Sequence, residues 1–170
     1  MPFLLADAST TSPPPAPPAV VAEQPAADTL YPPDAIGLGV SWVSGSGLVY
    51  RHWVDETWGF QLGGIPYVQG TFAFVNFGGQ IMYRAIKRYP YQFSPLLGIG
   101  YAYNKNSWFV QNGEKTDIGL APGVQLEYAL NRNLWAYAHI GYTMGAQITT
   151  GATPSADFRP GGGLGMFFAF

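Results

Sequence analysis

Between Leu134 and Gln147 the chain changes character at every step. The even positions carry Leu134, Ala136, Ala138, Ile140, Tyr142, Met144 and Ala146, and the odd ones carry Trp135, Tyr137, His139, Gly141, Thr143, Gly145 and Gln147. A period of two belongs to a strand, whose side chains point alternately to opposite faces of a sheet. One face here is wholly apolar and the other is small, polar or aromatic, so the two meet different surroundings.

The alternation recurs in 117–130, where Ile118, Leu120, Pro122, Val124, Leu126, Tyr128 and Leu130 oppose Gly119, Ala121, Gly123, Gln125, Glu127 and Ala129. It recurs in 93–104 and 72–86, and less regularly in 36–43, 48–54, 58–68 and 158–170. The last of these sends Leu164, Met166, Phe168 and Phe170 one way and Arg159, Gly163 and Gly165 the other. That makes eight strands, each near the ~9–11 residues a tilted strand needs to cross a bilayer.

Composition decides which face meets which solvent. Only 11% of the residues are charged, against about 25% in a typical soluble domain. A water-facing exterior would carry many Lys and Glu. The face opposite the apolar one holds mostly Gly, Ala, Ser, Asn and Gln, which suits the crowded inside of an eight-stranded barrel. The apolar face suits hydrocarbon. Lipid offers no partner to an open sheet edge, so such a sheet must close. The expected fold is all-β: a closed antiparallel eight-stranded transmembrane β-barrel over 35–170.

The connections fit this reading. Asp55-Glu56-Thr57, 87–92 (KRYPYQ) and Asn131-Arg132-Asn133 are short and charged, and they alternate with 44–46, 69–71 and two longer segments, 105–116 and 148–157. Short turns on one side and longer loops on the other are the asymmetry of outer-membrane barrels. Tyr and Trp gather near both ends of the strands, where interfacial anchors belong.

Residues 1–34 differ from the rest, with nine of the fifteen prolines and none of the glycines. Proline removes hydrogen-bond donors and fixes φ, so this part reads as a disordered, extended Pro-rich tether, with a docking site for an envelope protein partner as the alternative. MPFLLADA at 1–8 looks like the end of a signal peptide with an A-x-A cleavage site, an expectation of a truncated leader. The tail would then be periplasmic.

The final stretch, GLGMFFAF (163–170), resembles the C-terminal recognition signal of bacterial outer-membrane barrels. In that signal a terminal aromatic, a hydrophobic residue two before it and an upstream glycine stand where Phe170, Phe168 and Gly165 stand here. With the parity pattern over 36–170, the chain resembles the small OmpA/OmpX/OmpW-like outer-membrane proteins. The resemblance implies a Gram-negative-type outer membrane, contact with lipid bilayer and lipopolysaccharide, and insertion by the barrel-assembly machinery through the C-terminal strand.

The inward parity set contains Arg51, Gln61, Gln80, Arg84, Gln125, Glu127, His139 and Arg159. Charges inside a barrel must pair, so these read as a lumen polar network that fills and stiffens the interior. Trp108, Phe109 and Val110, on the long 105–116 segment, are candidates for contact with a partner or with lipopolysaccharide.

Catalysis finds little support. Some small outer-membrane barrels are lipid A-modifying enzymes, and their deacylase-like pattern places Ser two residues after His. Gly141 stands there after His139, and Val54 after His52. No catalytic residues, metal site or cofactor are therefore expected. A net charge of −2 leaves no basic footprint for nucleic acid, and the absence of cysteine excludes a disulfide framework and thiolate chemistry. The expectation is a non-enzymatic envelope barrel with a structural or interaction role. A narrow, porin-like channel for small solutes and a lipid A-modifying enzyme are the alternatives.

Overall fold

The computed structural model describes residues 31–42, 44–105 and 113–170. Nine antiparallel elements follow one another: β1 (Asp34–Ser41), β2 (Gly47–Trp53), β3 (Trp58–Gln69), β4 (Phe72–Tyr83), β5 (Ile86–Arg88), β6 (Tyr91–Lys105), β7 (Glu114–Ala129), β8 (Leu134–Thr149) and β9 (Ser155–Ala169). β1 pairs with both β2 and β9, and β4 with both β3 and β6, so eight strands close into a barrel. The ninth element, β5, pairs only with β6. No described residue lies in a helix.

Closure leaves no free edge among these eight strands, as backbone groups surrounded by hydrocarbon would require. The seam is the β1–β9 pairing, running from Ala35 opposite Ala169 to Ser41 opposite Gly163. The terminal residue joins it, since the Phe170 N–H donates to the Asp34 carbonyl at 2.9 Å.

Burial follows residue parity around the barrel. In β6 the inward Gln92, Ser94, Leu96, Gly98, Gly100, Ala102 and Asn104 are buried, while Pro95, Leu97, Ile99 and Tyr101 are exposed. Leu38, Leu62, Ile81, Leu120, Ile140 and Leu164, on six different strands, are all half or more exposed. The outer wall is therefore apolar all the way round. Aromatic pairs stand at the short-turn rim (Trp58–Tyr83, 5.2 Å between centroids; Tyr91–Tyr128, 5.1 Å) and at the opposite rim (Tyr67–Phe72, 5.6 Å).

Two details depart from the sequence reading. The 87–92 stretch is not one turn: Lys87 pairs with Gln92 and Arg88 with Tyr91, leaving Tyr89-Pro90 at the bend. The strand before it breaks instead at Arg84 and Ala85, where the Arg84 N–H donates to the Thr57 carbonyl at 2.7 Å and the Ala85 N–H to the Phe93 carbonyl at 3.0 Å. The strands on the long-loop side also run further than alternation marked them. β7 and β8 each span 16 residues, against 8 in β1 and 7 in β2. The two longer connections shrink accordingly, because Lys105 pairs with Glu114 and Gln147 with Ser155. The wall thus stands tall on the β6–β9 side and low on the β1–β2 side.

Candidate functional site in the barrel lumen

The lumen is filled in layers from the short-turn end. Its floor is aromatic. Tyr31 lies against Trp135 (5.6 Å between centroids), and the Arg84 guanidinium sits 3.8 Å from the Trp53 ring centroid and 5.7 Å from that of Tyr31. Lys87 Nζ approaches Tyr31 at 4.9 Å. Cations over aromatic faces are attracted by the ring quadrupole, and this suits a site where Arg84 is buried. The backbone continues the seal, with the Trp53 N–H donating to the Pro33 carbonyl at 2.8 Å.

The second layer is polar and buried. Arg51 Nη1 pairs with Glu127 Oε2, both side chains being essentially inaccessible. The Arg51 guanidinium also lies 5.0 Å from the Phe167 ring centroid. Gln125 links the pair to the rest: its Nε2 donates to Glu127 Oε1 at 2.8 Å, and its Oε1 accepts from Gln80 Nε2 at 2.7 Å. Gln125 Nε2 also reaches Gln61 Oε1 at 3.4 Å, and Gln61 Nε2 reaches Ser44 Oγ at 3.4 Å. Four strands and the β1–β2 connection thus contribute to one network. An ion pair this buried is tolerated in part because the Gln125 amide occupies the remaining oxygen of Glu127.

Above it, Tyr137 stacks on Phe167 (4.4 Å, 14°) and on His139 (6.1 Å, 16°). The glycines of β1 and β9 make this possible. A Cβ at Gly39 would lie 1.9 Å from the Tyr137 hydroxyl, one at Gly165 2.5 Å from its ring, and one at Gly163 2.7 Å from the His139 ring. Gly165 therefore clears space for Tyr137, while Phe168 and Phe170 point outward and are more than half exposed.

His139 Nε2 meets Ser41 Oγ at 2.9 Å, a contact between β8 and β1 that sequence reasoning missed because 98 residues separate the partners. The Ser41 hydroxyl also accepts from the Ser44 N–H at 2.9 Å. No third group orients the imidazole, since His139 Nδ1 is buried with no hydrogen-bond partner among the described residues. A Ser–His contact without an orienting acid lacks the arrangement that activates a hydroxyl nucleophile. No cluster of three metal-binding side chains occurs among the described residues.

Towards the long-loop end the described residues leave open space in the lumen. Arg159 stands here, apart from the other seven residues, paired through Nε with Asp157 at 3.1 Å and lying 5.2 Å from the Trp42 ring centroid. Lys115 pairs with Asp117 at 3.3 Å, and Gln147 Nε2 donates to Asp117 Oδ1 at 3.2 Å. The structure thus brings Arg51, Gln61, Gln80, Gln125 and Glu127 into one connected set and places Arg84 in the floor and His139 above it. Sequence reasoning also passed over Phe167, which is fully buried. Parity alone places it inward, opposite Phe168. Trp108, Phe109 and Val110 lie outside the described residues, as do residues 1–30 of the tail.

No protein-family model matches the chain, and no curated protein matches it. Among solved structures, the crystal structure of Acinetobacter baumannii CarO aligns over 84% of this chain and 99% of that one, with 14% identity and a TM-score of 0.39. A likeness of that degree assigns neither family nor role.

Proposed function

We propose that this protein is an integral barrel of a bacterial outer membrane, non-enzymatic and closed to ion flow, with a structural or interaction role in the envelope. The observation that carries the reading is the contrast between its two faces. The outer wall is apolar around the whole circumference, and the lumen is crossed by the Arg51–Glu127 pair, three glutamines and a stacked Tyr137–Phe167 layer. An apolar exterior with a polar interior is the pattern of a barrel solvated by lipid. A plug whose members are hydrogen-bonded to one another leaves no continuous water path.

On this reading the short turns and the Pro-rich tail face the periplasm, the longer loops face outward, and Phe168 and Phe170 belong to the signal read by the insertion machinery. The test is conductance of the refolded chain in planar bilayers. A silent bilayer containing inserted protein is expected, and steps abolished by Arg84→Ala or Glu127→Ala would make it a channel instead. Incubation with lipopolysaccharide followed by mass analysis is expected to leave the acyl chains unchanged.

A further inference from the structure

The open end of the lumen holds a cavity of about 410 Å³, lined by Trp42, Phe74, Asn76, Asn104, Asp117 and Arg159 among others. Its size lies within the ~300–1,000 Å³ range of small-molecule sites. The plug beneath it makes it a blind pocket rather than the mouth of a conduit.

The wall chemistry narrows the ligand. Lys115, Arg159 and Asp117 line the space, and each cation is already paired with a carboxylate, Lys115 with Asp117 and Arg159 with Asp157 just outside the lining. The pocket therefore carries no net charge to select an ion. What remains is unused hydrogen-bonding capacity. Asn104, 7% exposed, lines the cavity, and its Oδ1 is buried with no partner among the described residues. Thr143 Oγ1, on the adjoining wall with Asp117 and Arg159, is likewise buried and unpartnered. A buried acceptor left without a partner costs about 1–3 kcal/mol, so an amide held in this way points to a ligand that donates to it. Asn76 is fixed in place, its Oδ1 accepting from the Ser46 N–H at 2.8 Å. Aromatic faces at Trp42 and Phe74 complete the set.

From this arrangement we infer that the vestibule is a saccharide-binding site. Neighbouring hydroxyls of a sugar both donate and accept, matching the amides, the carboxylate oxygens and the guanidinium, and the C–H face of the ring packs on an aromatic surface. A zwitterion would have to compete with the paired side chains for their own counter-charges. The sugar could be free, or part of a surface glycan. That the pocket faces outward rests on the membrane reading above; the binding itself does not.

The test uses the full chain in micelles of a detergent without a sugar headgroup, titrated with maltose, with glycine betaine and with core oligosaccharide released from lipopolysaccharide, read by saturation-transfer NMR. Saturation of sugar protons is expected, with affinity falling about fivefold in Asn104→Leu and also in Trp42→Ala. Unchanged heat-modifiability on gels shows that each variant barrel has folded. Maltose binding identifies a free-sugar site, and binding of the core oligosaccharide alone identifies a glycan contact. No transfer to either saccharide, displacement of sugar by glycine betaine, or equal affinities in both folded variants would overturn the inference. Conductance is read separately, so loss of the closed-barrel reading would not be mistaken for loss of the site.

Discussion

At the short-turn end the lumen holds Trp53, Met82, Trp135 and Phe167, each 3% exposed or less, locked around Arg51, Arg84 and Glu127. At the long-loop end the inward positions of the same strands carry Asn76, Asn104, Thr143, Asp157 and Arg159 around open space. Parity is the same at both ends, yet one end is packed like a protein interior and the other encloses a cavity. The difference comes from side-chain volume at inward positions. Large rings fill the first end, where glycines on neighbouring strands make room for them, whereas the second carries mostly polar side chains, with Asn76, Asn104 and Thr143 too short to fill it. One barrel geometry can thus serve as a stopper at one end and a receptacle at the other.

Breaking the stopper has the largest expected effect. Glu127→Ala leaves the Arg51 guanidinium buried without its counter-charge and is expected to cost about 3–5 kcal/mol in urea unfolding followed by heat-modifiability. The double change to Arg51→Met and Glu127→Met removes both charges and should recover most of that loss. Recovery would show that the penalty lies in the stranded charge and not in lost volume.

The comparison sharpens with matched truncations. Trp135→Ala at the packed end should cost about 3–5 kcal/mol, whereas Phe74→Ala beside the cavity should cost about 1 kcal/mol or less, because the ring there is only half-buried. Equal losses would mean that the two ends are packed alike.

The smallest effect belongs to the turn at 54–57, outside the lumen altogether. Asp55 Oδ1 accepts from the Thr57 N–H (2.6 Å), the Thr57 hydroxyl (2.7 Å) and the Trp58 N–H (2.7 Å). These bonds, the Trp58 N–H foremost, hold its carboxyl below the usual carboxylate range. A depressed folded-state value means that the contribution is present above the unfolded value of about 3.9 and is lost as pH falls through the folded one. Asp55→Ala should therefore lower the melting temperature slightly at pH 7, with the difference from the parent vanishing in acid.

Much of this was legible in the sequence, because a barrel wall imposes one rule on every residue. Parity alone separates Gln125 and Glu127 from Val124 and Leu126, and it places Arg51, Gln80 and His139 on the inner side. Distances across the lumen were not legible, since they depend on strand stagger. Nothing local announces that Ser41 meets His139 or that Arg51 meets Glu127 76 residues away. The strand ends were hard for a different reason. Near the long-loop rim, Lys105, Glu114 and Lys115 continue the ladder with charged side chains, so the contrast between faces fades before the hydrogen bonding does. The break at Arg84 was likewise hidden, because the parity of the inward residue is unaffected by the bend that follows it.

The central claim is that lipid solvates the outer wall while protein fills the inside, and spin labels read this directly. The chain has no cysteine, so single cysteines placed in turn at positions 123 to 129 of the refolded protein in liposomes can be labelled without background. Collision rates with oxygen, which concentrates in the bilayer, should peak at 124, 126 and 128 and fall at 125 and 127, with a polar nickel chelate excluded from 124 and 126. Free access of the chelate to 124 and 126 would contradict the account, because those side chains would then stand in water.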